Sequence, residues 1–498
     1  MTQQITSSIV TVSGGLILDQ DVYSTPPGAA TILRNFEPSI LGGYRRLEGT
    51  AKYSASQVNG SNVVQGVFVY NDQVFAISGG TLARGAGSSW TNLETGLNSS
   101  GRYNAERFNY ENTEKLILVN GSDNPRVLSG NTVSTISSTG VPTDAQYVAS
   151  FRSHMFYAGM SSNKQEIVFS APFNEDDFTA GNGAGSVKVD DNVTGLKVFR
   201  DNLFIFCQDR IFKLTGSGLA SFAIENISRS IGCLDGFSIQ EIGGDLAFLG
   251  PDGVRTVQGT ARIGDIELGS ISKPIQRRFE DISQDRITSV VIREKSQYRL
   301  FLPLTDGIEK AAQGIIGVIK SNPQGGVAWE WSDIKGVKPS CCDSQFISNS
   351  EIVVHGGFDG YVYQQESGNT FSGTNIRASY RSPDLTLGDA GIRKNMQRIN
   401  VNYDSAGEVD LMLGVKFDFE NADIPQPSNY NLTTQVSHAL YGSTTYGSST
   451  YGSEGFPIVR QPIEGSGFTA TVKIDDTSSN PPITLKGFQL EFTPGTRM

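Results

Sequence analysis

The strongest constraint in this chain is a repeated unit: a short β run, a two-residue polar or glycine turn, a second β run and a looser tail. Val63-Val64-Gln65-Gly66-Val67-Phe68-Val69-Tyr70 breaks at Asn71-Asp72 and resumes as Val74-Phe75-Ala76-Ile77-Ser78. Gly79-Gly80 then leads into Thr81-Leu82-Ala83-Arg84. Runs of β-branched and aromatic residues parted by such pairs form hairpins, because these residue types tolerate the positive φ that a tight hairpin turn demands. The unit recurs over 103–119, 147–158 (turning at Arg152-Ser153), 195–214 (Arg200-Asp201-Asn202), 232–257 (Gly243-Gly244), 296–302 and 350–363. About seven such modules, roughly 35 to 60 residues apart between 58 and 370, predict a β-propeller with one meander per blade. Stacked β-sandwiches are the alternative, and the absence of evident Greek-key crossovers favours the propeller.

Past residue 373 the pattern changes to strict alternation at 376–380, 396–403, 409–413, 415–419, 468–474 and 484–492. One buried and one wet face per strand predicts a C-terminal β-sandwich over 373–498. Residues 1–57 form an N-terminal segment, with 9–12 or 16–18 expected to supply the strand that closes the ring. One stretch departs from β periodicity. Ile275, Phe279 and Ile282 fall on one helical face, Ser272 suits an N-cap and Pro274 is tolerated in a first turn, so a short helix is expected over 272–283. The expectation is an all-β chain: a propeller of six or seven blades at 58–372, the sandwich and one short helix.

Composition agrees. Glycine supplies 56 of 498 residues, about 11%, against ~7% usually, as many tight turns require. Charged residues are 18%, below the ~25% of average chains, as strands buried on both faces require. The 40 basic and 51 acidic residues leave a formal charge of −11, which argues against a surface that grips nucleic acid all over. Four cysteines cannot make a disulfide framework. Cys207 and Cys233 stand alone, and Cys341-Cys342 lacks zinc-ligand spacing, so four reduced, buried thiols are expected. Met1-Thr2-Gln3-Gln4-Ile5-Thr6 carries no basic or apolar leader, and no apolar run reaches about 18 residues, so a soluble chain without membrane insertion is expected.

The search for chemistry is sparse. His154, His355 and His438 belong to different modules, and metalloprotease, P-loop and nucleophile-elbow motifs are missing. Cys342 with His355 lacks an orienting third group. Gln364-Gln365-Glu366-Ser367-Gly368-Asn369-Thr370-Phe371 is a degenerate version of the Asp-box of sialidase-type propellers, with Gln364 replacing Ser and Glu366 replacing Asp. That box is a structural turn in such propellers. A glycosidase of that kind also needs clustered arginines, and Arg152, Arg210, Arg255 and Arg299 fall in separate modules. Asn174-Glu175-Asp176-Asp177 and Asp190-Asp191-Asn192 lack the alternating spacing of a calcium loop and read as solvated turns. No catalytic residue, metal site or cofactor is expected. The Tyr-Gly-Ser repeat at 441–453 carries no apolar partners for its tyrosines. It is either a flexible inserted loop or a contact surface that makes Tyr441, Tyr446 and Tyr451 candidate subunit-interface residues.

Several short motifs follow one another in a telling order. Leu33-Arg34-Asn35-Phe36 and Gly42-Gly43-Tyr44-Arg45-Arg46-Leu47-Glu48-Gly49-Thr50 come first. The hairpin at 195–206 with Arg210-Ile211-Phe212-Lys213-Leu214-Thr215-Gly216 comes next, then Gly243-Gly244-Asp245-Leu246-Ala247-Phe248-Leu249 with Asp252-Gly253-Val254. The helix precedes Tyr298-Arg299-Leu300-Phe301, and Gly357-Phe358-Asp359-Gly360-Tyr361-Val362-Tyr363 and Phe371-Ser372-Gly373-Thr374-Asn375-Ile376 lead to Arg393-Lys394 and Gly465-Ser466-Gly467-Phe468. This order resembles the β-propeller tail proteins of short-tailed bacteriophages, the nozzle, tail tubular protein B or packaged-DNA stabilisation (tail hub) proteins.

The resemblance implies a virion structural protein, not an enzyme, made in the host bacterial cytoplasm. It would assemble as a homo-oligomeric ring, usually a hexamer, below portal and adaptor and near tail fibres or spikes. That ring would extend the DNA channel, help retain the packaged genome and conduct it during ejection. Double-stranded DNA would pass without specific binding, since a carboxylate-bearing lumen repels phosphate. Two other readings remain open: a glycan-binding, host-recognition propeller (an adhesin), suggested by the Asp-box and the Tyr-Gly-Ser segment, and a sialidase-like glycosidase.

Overall fold

Turn chemistry sets the register of the first hairpins. Asn71 and Asp72 have φ of 48° and 56°, Arg152 and Ser153 of 48° and 64°, Arg200 and Asp201 of 46° and 60°, and Ser348 and Asn349 of 47° and 70°. Each is a two-residue turn of the mirror-image type, whose twist matches the right-handed twist of its flanking strands. The computed structural model describes residues 5–21, 24–258, 270–280, 286–302, 313–321, 327–405, 407–434 and 458–497. His438, Tyr441, Tyr446, Tyr451 and Ile282 lie outside the described residues.

The meanders arrange as six four-stranded blades around an axis, with an additional three-stranded sheet in the ring. Blades 1 to 4 begin at Val64–Tyr70, Asn104–Phe108, Tyr147–Phe151 and Val193–Phe199, and each continues through three further antiparallel strands. The three-stranded sheet is Gln240–Ile242, Asp245–Gly250 and Gly253–Thr256. Blade 5 runs from Thr288–Ile292 to Val327–Lys335, and blade 6 begins at Cys341–Ile347. Apolar side chains from both faces of every blade meet their neighbours. Tyr70, Phe75 and Leu82 pack on Tyr103, Leu116 and Leu128 between blades 1 and 2. Phe156 and Phe169 meet Leu203 and Ile205 between blades 3 and 4. Val354 and Val362 meet Val67 and Val74 between blades 6 and 1. Each fully buried side chain of this kind contributes about 1.5–3 kcal/mol against exposure, so the interfaces between blades are the core.

Ring closure differs from expectation. The fourth strand of blade 6 is Thr50–Lys52, which pairs antiparallel with Val362–Gln365 (Tyr363 with Lys52, Gln365 with Thr50). Residues 9–12 and 16–18 do not close the ring. Thr6–Thr11 pairs instead with Phe492 to Gly487 at the other end of the chain, and Leu16 bridges to Ala30. The reason lies in the local backbone: Ser372 N donates to Thr50 O at 2.7 Å and Gly49 N to Gly368 O at 2.6 Å, which anchors only the later segment beside blade 6.

Two further sheets stand beyond the ring. One is an extension of blade 5: Val327–Lys335 pairs parallel with Ile32–Arg34, followed by Ala378–Arg381, Ala470–Asp476, Val409–Phe417 and Tyr430–Thr434, making nine strands in all. Facing it are Phe36–Pro38, Tyr44–Arg46, Ile483–Arg497, Ile392–Ser405 and Ile458–Pro462. Ile399, Leu490, Val415 and Ile474 fill the space between them in one cluster that also holds Trp331 and Tyr298 of blade 5. The runs at 409–413 and 415–419 are one strand, because Gly414 stays paired with Lys473 and does not break the ladder. The helix expected over 272–283 is a 3-10 stretch, Lys273–Phe279, with Ile275 at φ −125° interrupting it. Ile275 and Phe279 are both buried as the spacing required, but the Ser272 hydroxyl accepts from Val254 N at 2.9 Å and leaves the helix end uncapped by its side chain. Among the described residues no helix is long and apolar enough to cross a membrane.

A Cβ added at Gly49 would lie 2.3 Å from Thr370 O and 2.6 Å from Thr370 N. Gly49→Ala is therefore expected to lower stability by about 1–3 kcal/mol, through backbone displacement at the closing strand. Urea unfolding followed by tryptophan fluorescence checks this.

Candidate functional site

The propeller axis is where side chains from all modules converge. Two adjoining cavities of about 290 and 350 Å³ lie there, and both are lined by Phe68, Glu106, Lys197, Gln240, Ser289 and Asp343 from the innermost strands. Gln240 Nε2 donates to Ser289 Oγ at 3.1 Å, and Asp343 Oδ2 accepts from Val69 N at 2.7 Å. Burial pushes the Glu106 carboxyl above its ordinary pKa, opposed by the nearby Lys197 ammonium. Burial likewise raises Asp343, against its hydrogen bond from Val69 and the charge of Arg107. The axis is thus narrow, polar and of mixed sign.

A latch crosses the ring at one end of it. Arg102, just before blade 2, donates from Nη1 to Asp235 Oδ2 at 3.0 Å, lies 3.7 Å from the centroid of the Phe237 ring and also donates to Ile287 O. Asp235 and Phe237 precede the three-stranded sheet and Ile287 precedes blade 5, so one guanidinium joins opposite sides of the propeller. Cavities of about 290 and 350 Å³ are too small for a nucleic-acid duplex. None of these residues was singled out from the sequence; the only signal is a lone charge inside an innermost strand, such as Lys197 in the run 195–199.

The four arginines weighed for carboxylate binding are taken up separately. Arg152 Nη2 donates to Asp201 O at 3.4 Å, Arg210 pairs with Asp190, and Arg255 Nη2 lies 2.6 Å from Asp252 Oδ2. Arg299 belongs to a buried ion cluster that draws on three parts of the chain. Its Nη1 donates to Gln365 Oε1 at 2.8 Å, its Nε to Gln297 Oε1 at 2.6 Å and its Nη2 to Glu37 Oε2 at 3.3 Å, and it pairs with Glu366. Lys295 Nζ adds 2.7 Å to Glu37 Oε1 and a further pair with Glu366. Burial alone would raise the Glu366 carboxyl, but Arg299 and Lys295 outweigh it and hold the group down at about 2. The degenerate Asp-box is accordingly a turn, with Glu366 at φ 56° aiming its carboxylate at this cluster.

The remaining candidates are also engaged locally. His154 Nδ1 lies 2.6 Å from Ser170 O, and the ring packs on Phe169 and Phe222. Cys342 and His355 stand directly opposite on paired strands. Burial pushes the Cys342 thiol up and the His355 imidazole down to about 3, so both sit in neutral forms, the reverse of a thiolate–imidazolium pair. Burial pushes up Cys341, to about 11, and Cys233, to about 12. Glu175 pairs with Lys115 at 2.8 Å, Asp177 accepts from Thr179 N at 2.8 Å, and Asp191 accepts from Asn192 N at 2.7 Å. Among the described residues no group of three or more His, Cys, Asp or Glu side chains could hold a metal ion.

No family model matches the chain, and no curated protein matches it. Solved structures do. The extracellular domain of a protein described as a hybrid two component system, from B. thetaiotaomicron, aligns over 73% of this chain and 44% of its own at 11% identity and a TM-score of 0.42. Raptor from Chaetomium thermophilum aligns over 68% of this chain and 30% of its own at 10% identity and a TM-score of 0.41. The chain spans less than half the length of either structure, and likeness at this level says nothing of activity or partners.

Arg299→Met strips the cluster of its central cation and leaves two buried carboxylates facing one lysine. A loss of about 3–5 kcal/mol is expected by chemical denaturation. Glu366 contributes stability fully above the ordinary carboxyl pKa of ~4.3 and loses it as pH falls toward about 2. Glu366→Gln should therefore be less stable than the parent at pH 7, and its melting temperature should fall less steeply between those two pH values.

Proposed function

We propose that this chain is a structural, non-enzymatic subunit of a short-tailed bacteriophage tail, a nozzle or tail-hub protein that assembles with copies of itself into a ring extending the DNA channel below portal and adaptor. The observation that carries the reading is the join between propeller and sandwich. A single nine-stranded sheet begins in blade 5 and ends in the sandwich, and the N-terminal strand Ile32–Arg34 stitches the two together. Arg46, fully buried, pairs with Asp476 at 3.3 Å between the two facing sheets of the sandwich. A chain built this way places two differently facing surfaces in a fixed relation, which a ring subunit needs in order to contact a neighbour on each side. It also follows the resembling family's order of N-terminal segment, propeller and terminal sandwich.

In this reading DNA runs through the hole between copies and not along the propeller axis, which holds only the small latched cavities. With 51 acidic against 40 basic residues, the subunits repel phosphate on average and let the duplex slide. The neighbours are portal, adaptor and tail fibres or spikes.

Native mass spectrometry and negative-stain imaging of the purified chain, alone and mixed with portal and adaptor, test the proposal. The expected outcome is a closed ring, six copies by the family's habit, with an opening wide enough for duplex DNA. A monomer at every concentration, with no ring on mixing, overturns it.

A further inference from the structure

Beside the seam where Thr50–Lys52 closes the ring lies a cavity of about 370 Å³, on whose wall stand Thr50, His355, Phe358, Asp359, Tyr363 and Phe371. His355 is only 4% exposed and its protonation pattern follows from its neighbours. Arg299 can only donate, so its 2.8 Å bond from Nη1 fixes Gln365 with Oε1 toward the arginine. The amide nitrogen of Gln365 then faces His355 Nδ1 at 3.3 Å, and an NH2 group can only donate. Nδ1 is therefore the acceptor, and the ring proton sits on Nε2. That N–H has no protein partner among the described residues, and His355 lines the cavity. The buried cluster around Glu37 thus orients a neutral hydrogen-bond donor that no described residue uses.

The rest of the wall completes a recognisable chemistry. The Tyr363 ring stacks on His355 at 5.2 Å between centroids, and its hydroxyl donates to Asp359 Oδ2 at 2.6 Å. Asp359 Oδ1 accepts from Tyr361 N at 3.2 Å, and a Cβ at Gly357 would lie 2.4 Å from that oxygen, so only glycine lets the carboxylate fold back here. The Asp359 side chain keeps lone pairs for further donors. Phe358 is 46% exposed, an aromatic ring offered at the rim. One fixed neutral donor, a carboxylate acceptor and aromatic faces, in a cavity sized for one ring, match vicinal hydroxyls and the apolar C–H face of a sugar. Lys338 stands on the same wall and offsets the charge of Asp359, so the lining as a whole suits a neutral ligand.

We propose that this cavity binds a neutral pyranose, the terminal or branch sugar of a glycan. The inference is independent of ring assembly, and a monomeric chain would show it equally.

Saturation-transfer NMR on the full chain, with the methyl glycosides of glucose, galactose, mannose and N-acetylglucosamine as probes, tests it. At least one glycoside is expected to take up saturation through its ring protons, with a Kd of about 1–10 mM, ordinary for one sugar ring. The same titration should shift the His355 Nε2 resonance. Phe358→Ala and Asp359→Asn, both surface changes, should each weaken binding about tenfold, with unfolding curves confirming that both variants are folded. No saturation of any of the four glycosides, or binding that both variants retain at parental affinity without a His355 shift, overturns the proposal.

Discussion

Closing a ring of twisted sheets requires the last blade to be completed by a segment from elsewhere in the chain, and the buried ion cluster around Glu37 and Arg299 is where that requirement is met. Glu37 comes from the N-terminal hairpin, Arg299 and Lys295 from blade 5 and Glu366 from the turn that leads out of blade 6. An unpaired charge at such depth would be strongly unfavourable, so the four groups accept one mutual arrangement and few others. Buried pairs of this kind add little net stability over apolar packing, but they penalise every misregistered closure. The neighbouring strand Thr50–Lys52 then has a single place to pair. Arg299 also passes its orientation through Gln365 to His355, so the same cluster presets the donor on the seam cavity.

Closure by the N-terminal segment has a second consequence. Strands Thr6–Thr11 and Tyr44–Arg46 both lie on Ile483–Arg497 in the terminal sandwich, while Ile32–Arg34 joins that sandwich to blade 5. Thr6–Thr11 and Ile483–Arg497, from opposite ends of the described chain, are therefore neighbours in one sheet. Among the described residues, outermost blade strands such as Ser89–Glu94 and Thr132–Thr135 pair on one side only, as does Thr6–Thr11 in the sandwich. Edge strands are ready templates for another chain, so both sets of edges are candidate faces for a copy-to-copy contact of the proposed ring. The exposed Ile9 on the Thr6–Thr11 edge is consistent with such a contact.

Much of the fold was legible because it is local. Two-residue turns at Asn71-Asp72, Arg152-Ser153 and Arg200-Asp201 announce hairpins by residue type alone, since positive φ is a property of two adjacent residues. Alternation in the last third announces half-buried strands for the same reason. The ring-closing strand was misplaced because Thr50-Ala51-Lys52 is too short to carry a periodic signal, whereas Ile9-Val10-Thr11-Val12 looks far more like a strand and is one, in another sheet. The helix was located but not its geometry: Ile275 and Phe279 reveal a buried face, while the choice of a 3-10 path with an interruption depends on what the Ser272 hydroxyl meets across the chain.

Glu366 shows the limit most plainly. In the sequence it is a poor substitute in a degenerate Asp-box; in the folded chain its carboxylate is held ionised by Arg299 and Lys295, roughly seventy positions earlier in the chain. Arg102 reaching Asp235 and Phe237, and Gln365 setting the tautomer of His355, are of the same kind. The sequence by itself determined an all-β, turn-rich chain with repeated meanders and an alternating C-terminal third, because hairpin turns and side-chain period are properties of neighbours along the chain. Only the tertiary structure decided which strand closes the ring, which charges meet in the interior and which nitrogen of His355 carries its proton. Those depend on desolvation and on contacts between residues tens to hundreds of positions apart, whose pairing no local pattern encodes.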